Sequence, residues 1–317
     1  MNIGKMLEES QQTAFSFEVL PPLKGKGLNT IYKTIDQLME FGPKYINITT
    51  HHSDIEYRDA EPGMVRPERL RRRPGTVAVA AAIQHKYGIP VVPHILCSGF
   101  TREETEYVLI DLQFLGINNL LLLRGDKMQK DKHYRPTEGG NAHTTDLEEQ
   151  VLRYNGGHFI NGDEIEFISE PFSWGVACYP EKHSEAPNMQ TDMHYFAEKV
   201  RLGAGYGVTQ MFFDNTKYFA FVDAARKAGI TVPIVPGIKP FTRLSQLNLL
   251  PETFHCDLPE DFVKGAKACK TDKDAEEFGV EWGINQCKEL IAHGVPSIHF
   301  YTMYAAPSVR RIAEAIY

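Results

Sequence analysis

The chain of 317 residues contains no run of about 18 apolar residues, so a membrane-spanning helix is not expected. Its first residues, MNIGKMLEESQQ, lack the basic and then apolar regions of a secretory signal, and a cytoplasmic protein is expected. The five cysteines, Cys97, Cys178, Cys256, Cys269 and Cys287, form no CxxC pair. That is the usage of a reducing compartment, and neither a disulfide framework nor a zinc ribbon fits it. Basic charge is not in excess: 34 Lys and Arg stand against 41 Asp and Glu, a net charge of −7, which argues against general nucleic-acid binding. One basic cluster, RPERLRRRPG at 66–75, runs against this balance. With no aromatic residues interleaved, it reads as a solvated helix face near a turn at Pro74-Gly75. No low-complexity tract, evident duplication or linker marks a boundary, so residues 1–317 are expected to form a single domain.

What is present is a regular alternation. Short runs rich in β-branched and aromatic residues occur at 15–20 (FSFEVL), 45–50 (YINITT), 91–97 (VVPHILC), 120–125 (LLLLRG), 174–180 (WGVACYP), 208–214 (VTQMFFD), 234–238 (IVPGI) and 297–303 (SIHFYTM). Each is bounded by Gly, Pro or polar residues, as strands usually are. Leu120 to Leu123 suit a strand buried on both faces; periodicity alone leaves a buried helix segment as the alternative. Between the runs lie segments of helical spacing: TIYKTIDQLMEFG, ETEYVLIDLQFLG, DMHYFAEKVRLGAG, KYFAFVDAARKAG and FGVEWGINQCKELIAHG. Each closes on a Gly placed for a helix C-cap, and Ile31, Ile35, Leu38 and Met39 form an apolar stripe. Strands alternating with helices predict an α/β protein with a parallel sheet, and eight strands are the number that closes a (β/α)8 TIM barrel. An open doubly wound sheet is the alternative. An extended excursion follows strand 4, at 126–173, with a helix predicted at TTDLEEQVLRYN and a small hairpin within GGHFINGDEIEFISEPF.

In a barrel of this kind the active site lies at the C-terminal ends of the strands. The polar residues there are Glu18, Thr49, His94, Arg124, Asp126, Tyr179, Gln210, Asp214 and Tyr301. Glu18 lies among aromatic and aliphatic neighbours just before Pro21-Pro22; desolvation would raise its pKa and make it a general-acid candidate. Asp126, beside Arg124 and Gly125, would stay ionised, and two carboxylates in unlike surroundings can divide acid and electrostatic roles. Arg124-Gly125-Asp126 itself reads as a strand end opening onto a pocket rather than an adhesion motif. A metal-dependent TIM-barrel hydrolase, the alternative, would need His51, His52, His94 and His299 to converge, but HExxH is absent and no HxH pair follows the first strand. GAGYG at 203–207 precedes a strand instead of following one, so it reads as a helix cap and not a dinucleotide fingerprint.

At FSFEVLPP, NIT, PHILC, LLLRGD, ACYPEKHSEA, TQMFFD, PGI and HFYTM the sequence resembles the methylenetetrahydrofolate reductase family, in order from about residue 15 to residue 303. The LRGD and YPExHxEA elements together are specific. The resemblance implies a (β/α)8 barrel carrying FAD, which takes hydride from NADH or NADPH and reduces 5,10-methylenetetrahydrofolate to 5-methyltetrahydrofolate, the two substrates binding in turn. By the same resemblance Glu18 matches the general acid and Asp126 a carboxylate near flavin and pterin. Thr49, Thr50, His94, Arg124, Gly125, Tyr179, His183 and Ala186 match flavin-contacting positions; Gln210 and Tyr301 match folate and nicotinamide positions. Asp192 and Lys199, seven apart on one predicted helix, match the region that holds the ribose or pyrophosphate. Tyr195 and Glu198 stand where bacterial members tend to have Asn and Arg, Ala305 where Arg is frequent, and Leu250 where an aromatic residue stacks on ligand. A homo-oligomer is expected from the family. The chain ends at Tyr317 without room for the regulatory domain of eukaryotic relatives, so no response to S-adenosylmethionine is expected.

Overall fold

The computed structural model describes residues 1–51, 53–61, 64–127, 131, 133–303 and 305–317. In chain order its elements are α1 (Ile3–Glu9), β1 (Ala14–Val19), α2 (Asn29–Asp36), β2 (Tyr45–Ile48), β3 (Asp54–Glu61), β4 (Met64–Leu70), α3 (Thr76–Tyr87), β5 (Val91–Leu96), α4 (Arg102–Phe114), β6 (Asn119–Leu123) and α5 (Thr144–Asn155). There follow β7 (Ser173–Cys178), α6 (Met189–Leu202), β8 (Tyr206–Thr209), α7 (Asn215–Lys227), β9 (Ile234–Val235), β10 (Gly237–Ile238), α8 (Gln246–Phe254), α9 (Glu260–Ala268), α10 (Asp272–Ala292), β11 (Ser297–Tyr301) and α11 (Ala306–Ile316). The fold is α/β and TIM-barrel-like, and each of the eight strand runs read from the sequence overlaps a parallel strand, although β8 ends at Thr209, so most of the run at 208–214 lies beyond it. The seventh run is split in two at Pro236, which has no N–H to give to a ladder; its carbonyl instead accepts from His299 N at 3.0 Å.

By contact density the chain divides into two compact units, Met1–Val19 with Lys33–Asn47 and Ser173–Tyr317, and Leu20–Tyr32 with Ile48–Phe172. In the first, β11 pairs with β1 on one side and β10 on the other, while β7, β8 and β9 pair in sequence. Every residue of β1 is buried, as a strand covered on both faces requires. Met211, Phe213, Phe241, Leu250, Cys256 and Phe262 are part of a buried cluster beside α8, α9 and α10. Leu250 is thus a core residue and not a stacking surface.

In the second unit β5 pairs with β6, His94 standing opposite Leu121. The basic stretch 66–75 is not a helix face. Residues 64–70 form β4, antiparallel to β3, with like charges directly opposite at Glu56–Glu68 and Arg58–Arg66; exposed ion pairs beside them offset this repulsion, Arg58 Nε lying 2.7 Å from Glu68 Oε2 and Arg72 Nη2 2.5 Å from Glu56 Oε1. The excursion contains its predicted helix as α5, and one antiparallel bridge, His158 to Glu164, where a hairpin was expected. Among the described residues no helix is long and apolar enough to cross a membrane.

Candidate active site

In the first unit the parallel register places Glu18 of β1 opposite Tyr301 of β11. Ile238 of β10 stands opposite Phe300, so the next residue, Lys239, comes level with Tyr301 from the other side. Glu18 and Lys239 are only 8% and 6% exposed, and this is what gives them chemical interest. Burial pushes the Glu18 carboxyl up to about 8, with Lys239 opposing the shift. Burial in turn draws the Lys239 ammonium down to about 8, against the pull of Glu18. A carboxyl held protonated at neutral pH can donate a proton. The backbone at Glu18 is fixed as well, since Thr302 Oγ1 donates to Glu18 O at 2.5 Å.

Lys239 escaped the sequence reading. Its signal was GIKPF, a lysine directly after a strand run and before a proline; by itself it looks like a solvated residue, and only the register shows it level with Glu18.

Tyr301 donates its hydroxyl to Thr209 O at 2.5 Å. Gln210 N donates to Cys178 O at 2.9 Å, and Gln210 Oε1 accepts from Met211 N at 2.9 Å. Tyr179 packs edge-on against His183 with ring centroids 4.8 Å apart. The loop between them is self-bonded: Lys182, at φ 77°, donates its ammonium to His183 O (3.0 Å) and Ala186 O (2.7 Å). Asp192 Oδ2 accepts from His183 N at 3.0 Å, and Lys199 Nζ donates to Ala177 O at 2.6 Å. Both residues, expected near the ribose or pyrophosphate, therefore also hold their own chain. Tyr195 is exposed, Ala305 is buried at the start of α11, and Glu198 lies 4.0 Å from His194. Asp214 is a helix cap, accepting from Thr216 N and Oγ1 at 2.9 and 2.6 Å.

In the second unit Arg124-Gly125-Asp126 leaves β6 as a pinned turn. Ser98 N donates to Arg124 O and Ser98 Oγ to Asp126 O, both at 2.9 Å. Gly125 has φ 83°, and a Cβ on it would come within 2.9 Å of Ser98 Cβ, so only glycine fits. The Arg124 guanidinium lies over the Tyr134 ring, 4.1 Å from its centroid, and the Asp126 side chain is exposed. His94 is buried, and burial together with the nearby His51 brings its pKa down to about 3, so it is neutral. Thr50 Oγ1 donates to His94 O at 2.5 Å, and Thr49 Oγ1 lies 3.5 Å from His51 Nε2. The excursion packs on the loop after β5: Gly99 N donates to Thr137 Oγ1 at 2.8 Å and Arg102 N to Gly139 O at 2.9 Å.

For the metal alternative, His299 of the first unit bonds through Nδ1 to Ser16 Oγ at 3.0 Å and stacks on Tyr45, while His52 lies outside the described residues. Among the described residues no three His, Cys, Asp or Glu side chains are placed to hold a metal ion.

The model of the family described as methylenetetrahydrofolate reductase matches residues 2–317. Methylenetetrahydrofolate reductase (NADH) 1 of Arabidopsis thaliana is 27% identical over 313 residues, covering 94% of this chain and 47% of that protein. Probable methylenetetrahydrofolate reductase (NADPH) of Caenorhabditis elegans is 28% identical, with 99% and 43% covered. The chain spans about half the length of these relatives, but 86% of the 5,10-methylenetetrahydrofolate reductase of Pectobacterium carotovorum, to which it is 28% identical over 294 residues, 92% of this chain. Among solved structures, an uncharacterized Clostridium thermocellum protein that binds two copies of 5-methyl-5,6,7,8-tetrahydrofolic acid superposes with a TM-score of 0.58 at 11% identity, covering 100% of this chain and 98% of that one, which speaks for the fold. Matched by the family model from residue 2 to residue 317, the chain belongs to the methylenetetrahydrofolate reductase family.

Proposed function

We propose that this protein reduces 5,10-methylenetetrahydrofolate to 5-methyltetrahydrofolate with electrons from NADH or NADPH passed through bound FAD, as a cytoplasmic homo-oligomer whose residues 1–317 act as one catalytic domain. The observation that carries the reading is the buried Glu18 carboxyl at a strand end, where burial raises its pKa, in a chain of this family. FAD, when bound, supplies the two-electron carrier that lets donor and folate be used in turn. What supports a flavin nucleotide is the Arg124–Asp126 turn. A cation lying on an aromatic ring, beside a glycine that admits close backbone approach, suits a planar, phosphorylated ligand.

The residues that would hold it are Thr49, Thr50, His94, Arg124, Gly125 and Asp126 of the second unit, and Tyr179, His183, Ala186, Asp192 and Lys199 of the first. Glu18 gives its proton to the folate nitrogen as the imidazolidine ring opens to an iminium. Asp126, whose backbone oxygen is held by Ser98, would supply an electrostatic partner for that cation. Gln210 and Tyr301 bind the folate and the nicotinamide in turn, and neutral His94 offers a hydrogen bond without adding charge. The excursion would cover one side of the flavin.

An anaerobic visible spectrum of the purified protein tests this. Flavin bands that bleach with NADH or NADPH and return with methylenetetrahydrofolate are expected. A protein that is colourless and takes up no added FAD would overturn the flavin; flavin that bleaches but is not reoxidised by folate would overturn the substrate.

A further inference from the structure

Lys239 is the one buried lysine among the described residues, and no ladder or cap requires it. Its place follows from register: Glu18, Tyr301 and Lys239 form one row across β1, β11 and the end of β10, with a carboxyl group and an amino group flanking the tyrosine. Among the described residues Lys239 makes no side-chain hydrogen bond, and the opposite charge acting on it is that of Glu18. A methionine would fill similar space without the cost of burying an ammonium.

We propose that Lys239 is a positioning residue for folate reduction that acts through Glu18: its buried ammonium balances the carboxylate that Glu18 becomes once its proton is given up. The inference rests on reading Glu18 as the general acid. In that step the proton moves from the carboxyl to the folate nitrogen, and the electron pair of the breaking carbon–nitrogen bond stays on that nitrogen. The products are an iminium cation and the Glu18 carboxylate, with no change in oxidation state. Without a cation nearby, the new carboxylate would be buried uncompensated and proton transfer would be uphill. With Lys239 present, burial leaves Glu18 at about 8, where a general acid can both hold and release its proton near neutral pH. The other groups facing the row are Tyr301 itself, Arg243 acting on Lys239, and Tyr179, Cys178 and Tyr45 acting on Tyr301.

The test is infrared titration of the protein without substrates, from about pH 5 to about pH 10, following the protonated-carboxyl band that Glu18→Gln removes. Lys239→Met and Lys239→Gln are expected to raise the midpoint of that band, lowering the ionisation constant by on the order of tenfold, and Lys239→Arg to restore it. Two neutral replacements keep the test open if one of them folds poorly. The alkaline limb of folate-dependent flavin reoxidation should move the same way while the maximal rate falls. A purely structural lysine would lower rates and leave both midpoints at the wild-type pH, which would overturn the proposal. Failure of the general-acid reading is separate: Glu18→Gln would then still reduce folate, whatever the infrared titration shows.

Discussion

Glu18 and Tyr301 stand opposite each other across β1 and β11, and the Tyr301 ring lies over Gly237. A Cβ at position 237 would run into the backbone oxygen of Thr209 and come 2.5 Å from Tyr301 Cε2 and 2.7 Å from the Tyr301 hydroxyl oxygen, too close for any of them to stay. Gly237→Ala is therefore expected to cost about 1–3 kcal/mol and to displace Tyr301 from Thr209 O. Calorimetry should show a melting temperature lower by several degrees, and steady-state kinetics a raised KM for folate. An unchanged melting temperature would mean that both the tyrosine and the strand backbone at Thr209 have room to move, and would contradict this reading.

Glu18 also makes stability depend on pH. Its folded pKa is raised from 4.5 to about 8, so the folded chain holds this proton where the unfolded chain has lost it. Stability therefore falls as pH rises from about 4.5 to about 8, by on the order of 5 kcal/mol at most. Lys239, lowered from 10.5 to about 8, has the opposite sign above that range: the folded chain loses its proton first and stability recovers as pH rises further. Urea unfolding of wild type and Glu18→Gln should show the variant gaining on the wild type between about pH 5 and pH 8. Parallel pH curves for the two proteins would refute this.

The turn after β6 should tolerate no side chain at Gly125. Gly125→Ala meets Ser98 Cβ and forces φ 83° on an alanine, at a cost of roughly 1–3 kcal/mol. Flavin absorbance per purified chain is expected to fall severalfold, with Ser98→Ala, which removes only the bond to Asp126 O, losing less. Wild-type flavin content in Gly125→Ala would argue that this turn does not hold the cofactor.

Much of this was legible in the sequence, for physical reasons. A strand such as β1 or β6 is an apolar run because both its faces are covered, and that pattern survives without coordinates. The β3–β4 ribbon was not legible, because its run of charged residues suits an exposed helix equally well. Asp214 looked like a strand-end carboxylate, yet Asp-Asn-Thr before a helical stripe is also a cap signal, and the cap is what forms. Glu18 was visible because its neighbours in sequence are apolar. Lys239 was not, since what makes it unusual is the row it shares with Glu18 and Tyr301, a relation between residues far apart in the sequence.

The most direct measurement is rapid-mixing kinetics of Glu18→Gln in the two half-reactions separately. Reduction of bound flavin by the nicotinamide should stay near the wild-type rate, while reoxidation by methylenetetrahydrofolate should slow on the order of 10²- to 10⁴-fold, the usual worth of a general acid. Equal slowing of both steps, or folate reduction at the wild-type rate, would contradict the assignment of Glu18 as the proton donor.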